Sequence, residues 1–448
     1  MTDSWHRLGI ADLHAAFRSG AATPSAVLAA QLSRIAALDP ALRAFVDLDR
    51  DGAEAAAAEG DARVAAGTIR PLEGVAVAIK SNIAVAGLSW NAGMKLRRDI
   101  TAQKDAGAIA RLRAAGAMIL GTVNMHEAAL GATTDNIWFG RTENPHRAGT
   151  TPGGSSGGSG AAVAAGLCVA ALGTDTMGSI RIPAAYNGVY GLKPTPGAIP
   201  DDGLVPLALT LDAIGPLARS LDDVETMWTV LAGLEAGMSP SPKPTRLLLL
   251  NDLGGVACEP AVLDAYRRAV GLLTLPLTTL QLPPLTEIRM AGFVTCAREL
   301  SGFIGTQRTE AAARISDSLH WLLDYADRAT LDTTILPTVR DAIRSAIGDD
   351  GILLMPCAPQ AAFDHGARAS ADQADFTALA NVAGLPALAI PAGHDDRGMP
   401  VSVQIVASAN NEAALFAVGR QLDQGLAGYA PPAEFDGDYR CVSSSCST

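Results

Sequence analysis

Lys80 closes the apolar run VAVAIK, Ser155 and Ser156 lie in the glycine-bracketed loop TPGGSSGGSG (151–160), and Ser179 stands alone in TDTMGSIRIP (174–183). A serine hydroxyl is a weak nucleophile at neutral pH and needs a base beside it. Lysine serves as that base only where burial or neighbouring cations favour its neutral amine. Together the three segments predict acyl transfer that uses lysine instead of histidine.

Other readings of the loop meet specific obstacles. A phosphate-binding loop requires a following Gly-Lys-Ser/Thr, which is missing, and no G-x-G-x-x-G begins here. Gly153 to Gly157 formally satisfies G-x-S-x-G, with His320, His365 and His394 downstream as bases, but that elbow needs a strand before it and NPHRAGTT has loop composition. A flexible Gly/Ser linker is opposed by the apolar stretch SGAAVAAGLCVAALG, read as a helix anchoring the loop. His126 and His146 lack the H-E-x-x-H pattern of a metal site and read as loop histidines in polar networks; no metal or cofactor is expected. Asp175 and Arg181 flank Ser179 and read as a buried pair bracing its loop.

The elements that must hold these residues alternate between strand and helix patterns. Residues 8–38 carry helical spacing, with Thr23-Pro24 marking a helix start, and 51–66 form an Ala-rich helix. Pro71–Ile79 reads as a buried strand, 105–115 as a helix and 117–123 as a strand. RLLLL, a helix over 261–272 and a strand near Leu280 follow; 284–348 read as mainly helical. Residues 350–359, LPALAIPAG and MPVSVQIVA complete the strands, with Pro386, Pro391 and Pro400 expected at strand ends. The alternation predicts an α/β architecture with a mixed or largely parallel sheet.

Composition narrows the partners. Among 448 residues, 46 acidic against 34 basic side chains give a net charge of −12, and no polybasic block supplies the positive footprint of a nucleic-acid binder. Neither a secretory signal nor a membrane span is read in the chain; the longest apolar candidate, 160–172, is too short and too rich in Ala and Gly. A cytoplasmic location is expected. Six cysteines without zinc-like spacing read as free thiols, and Cys441 and Cys446 in the Ser-rich tail CVSSSCST are the pair weighed for a disulfide and read against one. Met238–Thr245, with three prolines, is the best break in an otherwise single domain.

PLEGVAVAIKSN, GTVNMHEAALGATTDN, FGRTENP, TPGGSSGGSGAAVAAG, LGTDTMGSIRIPAAYNGVYGLKPT and LDAIGPLARSLDD, in this order, resemble the amidase signature family, as do the later ANVAGLPALAIPAG and GMPVSVQIVA. The resemblance implies one large α/β domain, a central mixed sheet covered by helices on both faces. Its parts would be a helical segment 1–66, a signature core 67–235, a variable, mainly helical portion 236–348, sheet segments 349–430 and a tail 431–448. Ser179 resembles the acylated nucleophile, Ser155 the bridging serine after a cis peptide, and Lys80 the terminal base. Backbone N–H groups of Thr176, Met177, Gly178 and Ser179 would form the oxyanion hole, and Ala129, Leu130 and Ile182 would border the acyl pocket.

The implied activity is hydrolysis of a small amide or ureide through a seryl acyl-enzyme, with a small-molecule substrate and a possible homodimer. The A subunit of a tRNA-dependent amidotransferase is the alternative; that relative typically carries glutamine where Ile182 stands. Fatty acid amide hydrolases, also similar, usually add a membrane-associating segment not read here. A non-catalytic binding protein is a further possibility, resting on two departures: Met177 replaces a common glycine and Ser81 a common aspartate. His126 also stands where aspartate is frequent. Specificity is expected from residues 284–345.

Overall fold

The computed structural model describes residues 5–234 and 243–433. The Cys441–Cys446 pair and most of the proline-rich break lie outside the described residues. The strands are β1 (Phe45–Leu48), β2 (Ala76–Lys80), β3 (Met118–Val123), β4 (Asp135–Asn136), β5 (Gly140–Arg141), β6 (Ala170–Asp175) and β7 (Tyr190–Lys193). After them come β8 (Ala213–Ala218), β9 (Arg246–Leu250), β10 (Leu277–Leu280), β11 (Gly351–Pro356), β12 (Ala387–His394) and β13 (Pro400–Val406).

Eleven of these strands form one sheet, ordered β1-β3-β2-β6-β8-β7-β12-β13-β11-β9-β10, while β4 and β5 pair separately. The sheet is mixed. Parallel pairs join β3, β2 and β6 at one end and β11, β9 and β10 at the other, and the strands between run antiparallel. Successive residues of one strand enter different apolar clusters: Ile352 and Leu354 of β11 join one, Leu353 and Met355 the other. A strand turns alternate side chains to opposite faces, so both faces are covered. Helix Pro260–Leu272 packs on the first side through Val262, Ala265 and Ala269, and helix Ile335–Ile347 on the second through Leu336, Val339 and Ile343. Among the described residues no helix is long and apolar enough to cross a membrane.

Local signals mostly act where expected. Thr23 caps helix Pro24–Leu42, its Oγ1 accepting from Ala26 N–H at 3.2 Å. The 8–38 stretch is nevertheless two helices, because Gly20 at φ 72° ends Ile10–Ser19. Three expectations need correction. The Pro71–Ile79 strand starts only at Ala76: Glu73 turns back to accept from Arg70 Nε at 2.7 Å, and Gly74 at φ 70° completes a turn. The apolar stretch after the glycine loop is helix Gly157–Ala164, a turn at Gly166 (φ 67°) and then β6. Pro391 lies inside β12, beside the register break between Pro391 and Gly393, where a missing N–H is tolerated.

Candidate active site

Lys80 ends β2 with its side chain fully buried, beside β6. Its Nζ lies 2.7 Å from Ser155 Oγ and 2.8 Å from Thr174 Oγ1, and donates to the Thr174 carbonyl at 3.3 Å. Burial lowers the Lys80 pKa to about 7, against the pull of Asp212 and Asp175 that raises it. Near neutrality a substantial share of this amine is therefore unprotonated.

Ser155 follows a cis Gly154–Ser155 peptide bond. Glycine is required at 154, since a Cβ would stand 2.6 Å from Thr133 N. The loop is pinned from outside: Thr134 Oγ1 donates to Gly153 O at 2.7 Å and accepts from Gly157 N–H at 3.0 Å, and His126 N–H donates to Ser155 O at 3.0 Å. Ser156 N–H donates to Ser179 O at 3.1 Å, tying the glycine loop to the loop of Ser179. Turns, not a strand, precede Ser155, so the elbow reading fails. His320 and His365 are hydrogen-bonded to the carbonyls of Ala312 and Thr142.

The Ser179 loop is built around Asp175. Its carboxylate accepts from Gly178 N–H (2.7 Å), Ile180 N–H (3.1 Å), Arg181 Nε (3.0 Å) and Arg181 Nη2 (2.9 Å). Arg181 also donates to Gln404 Oε1 and Asn381 Oδ1, at 2.8 and 2.6 Å. Both members of the pair are wholly buried, which is the bracing arrangement expected for them. Burial opposes ionisation of Asp175, but Arg181 and the surrounding donors hold its pKa down to about 2.

This geometry changes the oxyanion expectation. Gly178 N–H is committed to Asp175, leaving Thr176, Met177 and Ser179 as the candidate backbone donors. Gly178 itself, at φ 127°, cannot be replaced, because a Cβ would lie 2.2 Å from Thr377 Oγ1. Met177 is not among the residues with positive φ, so a side chain at 177 meets no backbone obstacle. Its carbonyl accepts from Thr377 Oγ1 at 2.7 Å.

Two polar groups escape the sequence reading. Thr174 contacts Lys80 through the pairing of β2 with β6, a relation that no local motif encodes. Asp212 accepts from Thr176 Oγ1 at 2.5 Å, Leu207 N–H at 2.9 Å and Ala208 N–H at 3.1 Å; burial raises its pKa to about 6. Asp212 thus anchors the start of the Ser179 loop at Thr176 and favours the charged form of Lys80. Replacing it with asparagine is expected to move the acid limb of the pH–rate profile down by roughly one unit, since the charge that raises the lysine pKa is lost. A profile that stays in place would remove Asp212 from this role.

Ser179 borders a cavity of about 500 Å³ that also contains Gly154, Met177, Ala129, Leu130 and Ile182. The last three are the residues expected to border the acyl pocket. Arg289, Met290, Phe293, Cys296, Trp321 and Tyr325 also line it, within the segment expected to carry specificity. Arg289 pairs with Asp375. A second cavity, of about 1000 Å³, adjoins along Leu130, Gly131 and Ala132 and contains His126, Glu127 and Asp135. Burial keeps His126 neutral with a pKa of about 4, its Nδ1 3.3 Å from Thr133 Oγ1. It holds His146 at about 4 too, with Nε2 3.0 Å from Asn187 O. Among the described residues no group of three or more His, Cys, Asp or Glu is placed to hold a metal ion.

Comparison with known proteins decides the family: the sequence model of the Amidase family matches residues 26–254 and 304–416. The chain belongs to the Amidase family. This amidase-family chain is 34% identical to the A subunit of glutamyl-tRNA(Gln) amidotransferase from Roseiflexus sp. (strain RS-1), over 92% of the chain and 95% of that relative. It is 36% identical to the corresponding subunit from Roseiflexus castenholzii, over 87% and 90%. Among solved structures it resembles one described as a vestigial protein complex revealing the evolutionary origins of an s-triazine catabolic enzyme (TM-score 0.87, 29% identity, 95% of this chain and 100% of that one). It also resembles the peptide amidase of Stenotrophomonas maltophilia (TM-score 0.80, 29% identity, 96% and 99%). The amidase-family match omits residues 255–303, which carry Arg289, Phe293 and Cys296 of the cavity.

Proposed function

We propose that this chain cleaves the C–N bond of an amide through an acyl-enzyme on Ser179. The observation that carries the reading is the buried, readily deprotonated Lys80 amine 2.7 Å from Ser155 Oγ, on a loop bonded to that of Ser179. Ser179 Oγ attacks the amide carbonyl while its proton passes to Ser155 Oγ, whose own proton passes to Lys80 Nζ. Backbone N–H groups of Thr176, Met177 and Ser179 face the oxyanion. The proton returns through Ser155 to the leaving nitrogen as the C–N bond breaks, and ammonia or an amine departs. Water then hydrolyses the acyl ester on Ser179 to free the carboxylic acid and the serine; in an amidotransferase-like setting the ammonia already released is the product passed on.

Two occupations of this machinery are supported by different observations. The names of the curated relatives, matched over nearly the whole chain, favour the A subunit of a glutamyl-tRNA amidotransferase, which would draw ammonia from an amide and work with protein partners. They support that reading better than a stand-alone hydrolase of small amides, which has backing only at the level of the family. In favour of the hydrolase is the cavity at Ser179: Ile182 and its neighbours are apolar, and among the described residues no carboxylate lines it to meet an α-ammonium group.

Ammonia release by the purified chain over glutamine, asparagine and a panel of neutral amides and ureides separates the two. Glutamine hydrolysis that requires added partner proteins supports the amidotransferase reading. Turnover of neutral amides by the chain alone supports the hydrolase. A fluorophosphonate that fails to label Ser179 in folded protein would remove both.

A further inference from the structure

We propose that the cavity at Ser179 takes an amide whose acyl part carries an aromatic ring, held against a wall made by Phe293, Tyr325 and Trp321. This deepens the hydrolase reading above and rests on it. Phe293 and Tyr325 have ring centroids 6.2 Å apart, and Tyr325 stacks with Trp321 at 5.8 Å and 20° between planes. These are the separations at which aromatic pairs attract. All three rings line the same cavity as Ser179.

The wall is a local concentration in an aromatic-poor chain: 5 Trp, 6 Tyr and 9 Phe occur in 448 residues, so three neighbouring rings at one cavity, one pair stacked and one tilted, do not follow from general composition. Trp321 and Tyr325 stand four apart on helix Asp317–Arg328 and therefore share a face. That helix is anchored through buried Leu319, Leu323 and Ala326, yet Trp321 remains 64% exposed. A large ring left open at the mouth of a cavity offers a free face to a ligand.

The surroundings select the ligand's charge. Among the described residues no carboxylate lines the cavity, and its one guanidinium, Arg289, is already paired with Asp375. A zwitterionic amide would lose water around its ammonium group without gaining a counter-charge; a neutral aryl amide loses nothing comparable. Met177 also lines the cavity. A Cβ on Gly292 would lie 2.9 Å from Met177 Cε, so glycine at 292 lets the thioether settle against the helix that carries Phe293. The departure from the family's usual glycine at 177 is in this way tied to the aromatic wall.

Calorimetric titration of Ser179→Ala protein tests the ligand class without requiring turnover. Phenylacetamide is expected to bind at least about tenfold more tightly than acetamide, and Trp321→Ala in the same background to weaken it by roughly fivefold. Equal affinity for phenylacetamide and acetamide, tighter binding of glutamine than of either, or no effect of Trp321→Ala would overturn the proposal. In protein with Ser179 restored, absence of hydrolysis despite the expected binding would count against the seryl mechanism and leave the ligand class standing.

Discussion

Replacing Lys80 with methionine is expected to lower kcat/KM by about 10⁴-fold or more while the protein remains folded. Removing one member of a nucleophile-and-base unit costs nearly as much as removing the whole unit, because the remaining groups cannot complete the proton transfer. Methionine keeps the unbranched, apolar length of the lysine stem in a position with no solvent exposure. The amine beside Ser155 Oγ is lost, and with it the acceptor for the proton.

The same lysine fixes the sign of the pH dependence. With a folded pKa of about 7 the amine is mostly neutral above that pH, so under the proposed mechanism kcat/KM should fall about tenfold per unit below it. Stability has a linked sign. Between about 7 and the ordinary value of 10.5 the unfolded chain holds a proton on Lys80 that the folded chain does not, so stability rises with pH over that window. Lys80→Met removes this contribution. Circular dichroism and thermal melting, run beside steady-state rates, distinguish a missing base from a missing fold. A folded variant that keeps more than a few per cent of activity would overturn the assignment of the base.

What is legible in the sequence follows the range over which each signal acts. Lys80, the glycine loop and the Ser179 loop each lie within a dozen residues of a strand or helix boundary with local signals, and the structure brings them together. Thr174 and Asp212 reach the same place through sheet pairing: β2 beside β6, and β6 antiparallel to β8. Strand β8 itself is hidden, since AIGPLA carries glycine and proline at its centre. In the fold Gly215 allows a close approach, where a Cβ would come within 2.0 Å of Leu192 O, and Pro216 sits opposite Leu172.

Met177 misleads for the opposite reason. A usual glycine suggests a backbone need, but the left-handed residue is Gly178, and position 177 is constrained by what its side chain packs on. The commitment of the Gly178 N–H to Asp175 is equally unreadable, because it depends on the direction of one bond vector in a loop whose length alone the sequence displays.

Arg181→Met is expected to destabilise the fold by about 3–5 kcal/mol, the usual cost of stripping one partner from a buried ion pair. Both side chains of the Arg181–Asp175 pair are fully buried, so water cannot replace the lost guanidinium, and Gln404 Oε1 and Asn381 Oδ1 lose a donor as well. The folded pKa of Asp175, about 2, lies below its ordinary 3.8; its stabilising contribution is therefore present above 3.8 and lost as pH falls through 2. Without Arg181, burial dominates and drives that pKa above 3.8, which reverses the sign: the variant should lose stability as pH rises from 3.8 through the raised value, where the parent loses it as pH falls. Asp175→Asn combined with Arg181→Met removes both charges and should recover part of the loss, because what costs most in the single variant is the uncompensated carboxylate. Urea denaturation across pH 3–8 reads both effects. A single-variant loss under about 1 kcal/mol, with an unmoved acid limb, would mean that the Ser179 loop is held by its backbone alone and that Asp175 needs no counter-ion.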